Sequence, residues 1–320
     1  MDGNHEPDDI TAKDIFAIVR QQFGNDGVKE IRMLNGGLFH VTCRVTFFDA
    51  RQFVLRFAPR SSESLLPFEK RLLKGMELAN RLMSRAGIPV PAVLALDESM
   101  SVVNRAYMVL SHIPGTALSA FEGKRRDGCL YQLGRNVRLI HSIVGNRFGR
   151  LAQIATGGGY ASWSDAILGE MHDYAICAER HELLSSREIG EIERAFLRHQ
   201  DALGAITEPR LAHGDLWPGN VLVEEGQGGE GLRLTGIIDT DRAMFGDPGF
   251  DLLTRTTQSK AFVEGYGNAG EHTEDAVLRG KLYGLIHSLG SFYALRRMRS
   301  PRRESVAHLA QARKLLLDLR

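Results

Sequence analysis

The first third of the chain alternates apolar and polar residues in the way expected of β-strands. Within residues 38–48 (LFHVTCRVTFF) every second residue from Val41 to Phe47 is apolar, which predicts a strand with one buried face. Strands are also predicted at 28–34 and 53–58. The intervening NGG and DARQ sequences are typical of breaks and turns, so the three strands are expected to be consecutive and antiparallel.

Two helices and two further strands complete this part of the chain. Apolar residues recur at helical spacing over 10–23 and again over 64–86. Short apolar runs predict strands at 92–97 and 106–113. Residues 1–112 are therefore expected to form an N-lobe with a small antiparallel sheet and one prominent helix.

Beyond about residue 113 the pattern becomes mainly helical. A predicted strand hairpin at 221–239, with a glycine-rich turn, is the main interruption. Residues 113–320 are therefore expected to form a helical C-lobe, so the fold class is α+β with two lobes and a ligand-binding cleft between them. The helices predicted in this part span 129–144, 162–184, 186–203 and 304–320.

Composition narrows the kinds of binding partner and the cellular compartment that we expect for this chain. The 320 residues include 40 basic and 39 acidic ones, so no overall charge favours nucleic acid or a membrane surface. The polar, acidic N-terminus is unlike a signal peptide, and no apolar run reaches the roughly 20 residues that span a bilayer. The three cysteines lack metal-ligand or disulfide spacing. We expect a cytoplasmic monomer or dimer with no nucleic-acid or membrane partner.

The stretch LAHGDLWPGNVLV, residues 211–223, places polar residues directly before an apolar strand. Asp215 and Asn220 are five residues apart, and the following hairpin ends at Asp239. If the two ends of the hairpin meet, a carboxylate base and two oxygen ligands converge, as phosphoryl transfer requires. Asparagine and aspartate oxygens suit Mg²⁺, which keeps several of its waters. We expect His213 to orient this loop.

HGDLWPGN, IID and GDPGFDL together resemble the motifs of the aminoglycoside phosphotransferase/choline-kinase family, which has a protein-kinase-like bilobal fold. YMVLSHIPG resembles the family's inter-lobe linker and LGRNVRLIHS its first large-lobe helix, so the resemblance covers nearly the whole chain. It implies ATP-dependent, Mg²⁺-requiring phosphorylation of a hydroxyl group of a small molecule, with an aminoglycoside or another antibiotic as a candidate acceptor. Asp215 is then the catalytic base, and Asn220 and Asp239 are the Mg²⁺ ligands. No activation segment ending in Ala-Pro-Glu follows Asp239, which favours a small molecule over a protein as acceptor.

The resemblance also implies a set of nucleotide-binding residues. Arg56 stands where protein kinases have the strand lysine that contacts the α- and β-phosphates, and arginine is not equivalent to lysine. Its helix partner is expected to be Glu77, with Glu69 as the competitor, because sequence spacing does not decide between them. The remaining candidates are Asn35, Gly36 and Gly37 in the NGG turn and Leu110 in the linker segment.

One predicted C-lobe helix carries candidate acceptor-binding residues. Asp165 and Asp173 are eight residues apart, hence near one face, where carboxylates could hold the amines of a polycation. Trp163 is a candidate for stacking on a sugar ring, and Trp217 is expected at the mouth of the site. Acidic residues are equally typical of the solvent-facing side of an amphipathic helix, so that alternative stays open.

Four other polar residues have structural interpretations. Asp247, followed by Pro248, fits a helix N-cap. Asp251 is expected to tether the catalytic loop, as the family's equivalent residue does, and His141 to be packed and hydrogen bonded. Asp241 is either a third metal-site carboxylate or a surface residue, and the surface interpretation is favoured.

Two other functions are compatible with the same residues. One is a kinase of a small metabolite, such as an amino alcohol or a sugar. The other is a non-catalytic pseudokinase that binds a nucleotide. The arginine at position 56 is the one feature that supports the pseudokinase, whereas the intact Asp215, Asn220 and Asp239 argue against it.

Overall fold

The alternating segments near the N-terminus form one five-stranded antiparallel sheet, with strand order β1-β2-β3-β5-β4. The computed structural model describes residues 10–24, 27–34, 40–59, 65–226, 231–267, 273–297 and 302–320. The strands of this sheet are β1 (Val28–Met33), β2 (Val41–Phe47), β3 (Gln52–Phe57), β4 (Val93–Asp97) and β5 (Tyr107–Ser111).

The alternation predicted for β2 is confirmed. Residues 41, 43, 45 and 47 are buried, whereas the residues between them are half-buried. Helix α1 (Ala12–Phe23) contributes Ile15 and Ile18 to the same apolar core, which also includes Phe57. This core belongs to a compact unit made of Met1–Glu63 and Pro91–Ile113.

The second unit, Ser64–Val90 with Pro114–Arg320, contains most of the helices and two small sheets. Its helices are α2 (Leu72–Arg85), α3 (Asp127–His141), α4 (Leu151–Ile154), α5 (Trp163–Arg180), α6 (Ser186–Arg198), α7 (Gln200–Gly204), α8 (Lys260–Tyr266), α9 (Glu274–Arg297) and α10 (Arg302–Asp318). Its strands are β6 (Thr116–Ala117), β7 (Gly149–Arg150), β8 (Arg210–Ala212), β9 (Val221–Glu225), β10 (Leu232–Ile237) and β11 (Met244–Gly246), in the orders β10-β9-β6 and β7-β11-β8. Within the described ranges, no helix combines the length and apolar character needed to cross a lipid bilayer.

Helix α2 groups with the second unit, whereas the sequence placed it in the N-lobe. Its apolar face packs on α4, and Asn80 Oδ1 accepts a 2.6 Å hydrogen bond from Thr240 Oγ1. The helix is also shorter than predicted, because a 3-10 turn at Pro67–Arg71 precedes it. An amphipathic pattern identifies a buried face but not the element against which that face packs.

We expect Gly75→Ala to lower the free energy of unfolding by about 1–3 kcal/mol. Alanine usually favours a helix interior over glycine by roughly 1 kcal/mol. A Cβ at Gly75, however, would lie 2.7 Å from the backbone nitrogen of Ala152, so α2 would have to move away from α4.

Gly280→Ala in α9 is the matched control, because a Cβ there would lie 3.7 Å from Leu253 Cδ2, an ordinary contact. Chemical denaturation should show a loss of stability for Gly75→Ala and no loss for Gly280→Ala. A gain for both variants would contradict this account of the packing of α2.

Candidate active site

The HGD loop between β8 and β9 is anchored by a buried carboxylate. Asp251 accepts hydrogen bonds from the backbone nitrogens of His213 (2.6 Å) and Gly214 (2.8 Å), and its Oδ2 lies 3.2 Å from His141 Nε2. Burial alone would raise the pKa of Asp251, but the hydrogen bond and charge of His141, the charge of His213 and the Gly214 amide hold it below its usual value. Asp251 therefore tethers the loop as predicted, and His141 is packed and hydrogen bonded.

Asp251 lies in a short turn that is itself held by hydrogen bonds. Asp247 is the N-cap of the 3-10 turn Pro248–Asp251 and accepts a 2.8 Å hydrogen bond from the Gly249 nitrogen. Its other oxygen, Oδ2, accepts from Arg279 Nε (2.9 Å) and Tyr283 Oη (2.7 Å). The capping role predicted for Asp247 is confirmed, and the same carboxylate joins the turn to α9.

His213 links the loop to the end of the hairpin. Its side chain is fully buried, with Nε2 3.0 Å from the Ile238 carbonyl oxygen and Nδ1 3.3 Å from the Asp215 backbone nitrogen. A carbonyl oxygen can only accept, so Nε2 donates to it and ties the loop to the end of the hairpin. The expected orienting role of His213 thus has a direct structural basis.

Gly214 has a conformation and a position that glycine alone accommodates easily. Its φ is +80°, in the left-handed region that residues with a Cβ rarely adopt. A Cβ at this position would also collide with the carbonyl oxygen of Arg242. The HGD loop therefore passes close to the segment that follows Asp239.

Asp215 and Asn220 are joined directly. The Asn220 Nδ2 donates to the Asp215 carbonyl oxygen (2.8 Å) and to Asp215 Oδ2 (3.1 Å), across the 3-10 turn Pro218–Asn220. Because Asn220 Nδ2 donates to Asp215, the side-chain oxygen Oδ1 is the atom of this amide that can bind a cation. These two hydrogen bonds restrain both side chains relative to each other.

Asp239 comes two residues after the end of β10 and lies next to the same loop. The Ile238 nitrogen donates to the Asn220 carbonyl oxygen (2.9 Å), and Asp239 has a left-handed backbone, with φ +63° and ψ +54°. Its negative charge is one of the influences that raise the pKa of Asp215. The structure thus brings Asp239 close to the Asp215–Asn220 pair.

The oxygen atoms of Asn220 and Asp239 suit a hard cation that also keeps ligands from outside the protein, such as waters and phosphates. Among the described residues, no group of three or more His, Cys, Asp and Glu side chains is arranged to hold a metal unaided. Asn220 Oδ1 and Asp239 would supply two oxygen donors, and Mg²⁺ typically takes one or two carboxylates together with waters and substrate phosphates. The residues present therefore fit Mg²⁺ better than a metal that needs a full protein cage.

The electrostatic setting of Asp215 includes a cation that sequence reasoning missed. Burial raises the pKa of Asp215 most, Asp239 and Asp241 raise it further, and Arg242 and His213 lower it. The missed cation is Arg242.

Asp241 is buried, so its predicted surface position was wrong. No local signal in TDRA distinguishes a buried carboxylate from an exposed one.

Arg242 is held from two sides. Its Nη2 lies 3.7 Å from Glu69 Oε1, and its carbonyl oxygen accepts a 2.7 Å hydrogen bond from Arg150 Nη1. Arg150 forms a buried two-point ion pair with Glu170, at 2.9 and 2.7 Å. A charge pattern confined to one segment could not reveal this network, because its members come from four different elements.

The predicted acceptor residues fall into three environments. Trp163 is buried and donates a 2.7 Å hydrogen bond to Tyr283 Oη, so its predicted stacking role was wrong. Asp165 is exposed and bonded to Ser162 at the start of α5. Asp173 is half-buried, and burial together with Glu170 raises its pKa to about 6.

Trp217 is the exposed aromatic residue of the loop. Its side chain is 47% exposed, although it lies two residues from the half-buried Asp215. The indole lies flat enough against Gly219 that a Cβ there would collide with the ring. Trp217 therefore presents an aromatic surface two residues from Asp215.

The nucleotide-binding candidates in the first unit lie on its sheet. Arg56 in β3 pairs with Thr42 in β2, and Leu110 in β5 is buried. Asn35, Gly36 and Gly37 lie outside the described residues. In the second unit, Glu77 is 37% exposed and lies 3.3 Å from Lys74, whereas Glu69 is buried against Arg242. The pairing of either glutamate with Arg56 stays a prediction.

Comparison with known proteins identifies the family. A family model described as the phosphotransferase enzyme family matches residues 30–283. The chain belongs to this family. The resemblance inferred from HGDLWPGN and GDPGFDL is confirmed.

Solved structures share the fold of the phosphotransferase at low sequence identity. A putative fructosamine-3-kinase from Thermobifida fusca has a TM-score of 0.67 and 18% identity, covering 96% of this chain and 100% of that one. A thermostable mutant of the aminoglycoside phosphotransferase APH(4)-Ia, in complex with AMP-PNP and hygromycin B, has a TM-score of 0.64 and 20% identity, covering 97% of each chain. The predicted protein-kinase-like α+β fold is confirmed.

A curated relative is much longer than this phosphotransferase. Acyl-CoA dehydrogenase family member 10 of Mus musculus is 23% identical over 231 residues, which is 71% of this chain and 20% of that protein. The chain thus spans about a fifth of the length of the curated relative that it matches.

Proposed function

We propose that this kinase transfers the γ-phosphoryl group of ATP to a hydroxyl group of a small molecule that carries amines, with an aminoglycoside or another antibiotic as the first candidate. The observation that supports the proposal most is the Asp215–Asn220 pair, fixed by two hydrogen bonds next to Asp239. Phosphoryl transfer depends mainly on positioning and electrostatics, and these three side chains supply both.

Asp215 is the base in this proposal. Burial and the nearby carboxylates raise its pKa toward the working pH, where a general base is most effective, while Arg242 helps to keep it ionised. Asn220 holds Oδ2 at 3.1 Å and so fixes the direction in which Asp215 can accept a proton. The acceptor hydroxyl would lose its proton to Asp215 as its oxygen attacks the γ-phosphorus, and the bond from the γ-phosphorus to the β,γ-bridging oxygen would break to release ADP.

Asn220 and Asp239 are the proposed Mg²⁺ ligands. When bound, Mg²⁺ neutralises charge on the phosphates during transfer. Arg56 and the segment Asn35–Gly37 would bind the triphosphate, and Leu110 would line the nucleoside pocket. The nucleotide assignment is supported by APH(4)-Ia, a structure with the same fold that holds AMP-PNP.

Asp173 and Trp217 are the proposed acceptor-binding residues. A half-buried carboxylate attracts an amine, and an exposed indole suits the flat face of a ring. Asp165 has a weaker claim, because Ser162 Oγ already donates a 2.7 Å hydrogen bond to its carboxylate. APH(4)-Ia, whose structure contains hygromycin B, supports an aminoglycoside as the first acceptor to test.

A second candidate is a metabolite kinase acting on a sugar or an amino alcohol. It is favoured by the likeness to the fructosamine-3-kinase, at a TM-score of 0.67, and by the exposed Trp217. The chemistry at Asp215 would be the same. The two candidates differ in acceptor alone.

An acceptor panel tests the proposal and separates these candidates. Aminoglycosides, sugars, sugar amines and amino alcohols are incubated with ATP and Mg²⁺, and products are detected by the mass of one added phosphoryl group. We expect an aminoglycoside to be phosphorylated by the wild type and not by Asp215→Asn. Phosphorylation of sugars or amino alcohols alone would support the metabolite kinase. ATP binding without any phosphorylated product would support a pseudokinase.

The raised pKa of Asp173 predicts a pH-dependent affinity for a cationic acceptor. Its carboxyl is charged above about pH 6 and neutral below it, so its attraction for an amine is lost as the pH falls through 6. We expect the Kd of the acceptor, measured by calorimetry, to rise roughly fivefold between pH 7.5 and pH 5, equivalent to about 1 kcal/mol.

Asp173→Asn should remove most of this pH dependence. Glu179→Gln is the matched control, because it removes an equal charge from an exposed position on the same helix. An unchanged pH profile in Asp173→Asn would remove Asp173 from the acceptor site.

A further inference from the structure

Arg56 has a buried neighbour in His40, the residue that directly precedes β2. Its Nη2 lies 3.1 Å from His40 Nδ1, and both side chains are buried, with 9% and 6% of their surface exposed. Thr42 in β2 is the register partner of Arg56, and His40 precedes Thr42 by two residues. In an antiparallel sheet such diagonal neighbours share a face and lie within reach of a long side chain.

The contact fixes the protonation state of His40. A guanidinium has donors and no acceptor, so Arg56 Nη2 donates and His40 Nδ1 must accept. The imidazole is therefore neutral, with its proton on Nε2. Such a partner restrains the plane of the guanidinium without cancelling its charge, which a carboxylate in the same place would do.

A restrained arginine is better suited to phosphate than a mobile one. The planar fork of arginine matches two phosphate oxygens at once, but only in one orientation. Holding that orientation in advance removes part of the entropy cost of binding a nucleotide.

We propose that His40 is a positioning residue of the nucleotide site, which orients Arg56 for the phosphates of ATP. This inference rests on the proposed function, in which Arg56 binds the triphosphate. His40 touches no reacting atom and acts through Arg56 alone.

Two substitutions at His40 test the proposal. His40→Asn keeps an acceptor near the position of Nδ1, whereas His40→Leu removes it. Ordering a long side chain when a ligand binds typically weakens binding by up to about tenfold. We therefore expect His40→Leu to raise the Kd of ATP about tenfold and His40→Asn to raise it much less.

Adenosine serves as the control ligand, because it lacks the phosphates that Arg56 would bind. Calorimetric titration should show equal adenosine affinity for the wild type and both variants. The melting temperature without ligand shows whether each variant is folded. A loss of ATP and adenosine affinity together would indicate general damage and overturn the positioning role.

Arg56→Met separates failure of this inference from failure of the proposed function. If Arg56→Met binds ATP like the wild type, Arg56 is not a phosphate ligand and the role of His40 falls with it, whereas absence of ATP binding in the wild type would overturn the proposed function itself. If Arg56→Met weakens ATP binding but His40→Leu does not, the role of His40 alone is overturned. The double variant should bind ATP no more weakly than Arg56→Met, because His40 acts only through that arginine.

Discussion

Asp215→Asn is expected to lower kcat by about 10²–10⁴-fold, the range over which a positioned general base contributes. The substitution preserves the shape of the side chain and an oxygen that can accept from Asn220 Nδ2. It removes the charge that takes the proton of the acceptor hydroxyl. Affinity for ATP should change little, because the proposed phosphate and metal contacts come from other residues.

Initial rates of phosphate transfer, or of ATP hydrolysis until an acceptor is known, measure this effect at saturating ATP. Asp201→Asn removes an equal charge from an exposed residue and should retain wild-type rates. A kcat for Asp215→Asn within a few-fold of the wild type would exclude Asp215 as the base.

Gly214→Ala is expected to lower activity by about 10²-fold, because small misplacements of reacting groups have effects of that size. Two separate costs act on the loop. The left-handed backbone, with φ +80°, disfavours alanine by roughly 1–2 kcal/mol, and the new Cβ collides with the Arg242 carbonyl oxygen. The loop must shift to relieve the collision, and Asp215 is the next residue in the chain.

Gly87→Ala separates the two costs. Gly87 has φ +79°, nearly the same as Gly214, but no atom lies within 4 Å of the position of a Cβ. Both variants should lose stability in thermal melts, but only Gly214→Ala should lose most of its activity. Equal activities would mean that the approach of Gly214 to Arg242 does not position the site.

Residues close together in the sequence were the most predictable part of the site. HGDLWPGN combines a base, a turn and an amide within a few residues, so the Asp215–Asn220 contact follows from local geometry. The GDPGFDL segment likewise predicted the cap at Asp247, because the capping residue and the following proline are adjacent. The tether at Asp251 joins residues 38 positions apart, and its prediction came from the family resemblance.

Contacts between distant segments could not be predicted in the same way. Arg242 meets Glu69 across more than 170 positions, and nothing in either segment signals the other. Asp241 was assigned to the surface because charged residues are rarely buried, yet it is buried near Asp215. Trp163, at the start of a predicted helix, was interpreted as a binding residue, but its hydrogen bond to Tyr283 shows that it belongs to the core.

The fold, like the site, has parts that the local sequence predicts and parts that it does not. The strands of the five-stranded sheet were predicted with small errors at their ends, and β2 has the clear alternation that identified it. The sheet β7-β11-β8 has strands of two or three residues, too short to show any periodicity. The segment 186–203 was predicted as one helix, but it forms α6 and α7, which are separated at His199.

The central claim is that Asn220 and Asp239 bind the metal of a metal–nucleotide complex beside Asp215. Binding of Mn²⁺ in the presence of AMP-PNP, followed by electron paramagnetic resonance, tests it without knowledge of the acceptor. We expect the wild type and Asp201→Asn to bind Mn²⁺·AMP-PNP with equal affinity, and Asn220→Ala and Asp239→Ala to bind it at least tenfold more weakly. Wild-type affinity in both alanine variants would contradict the claim.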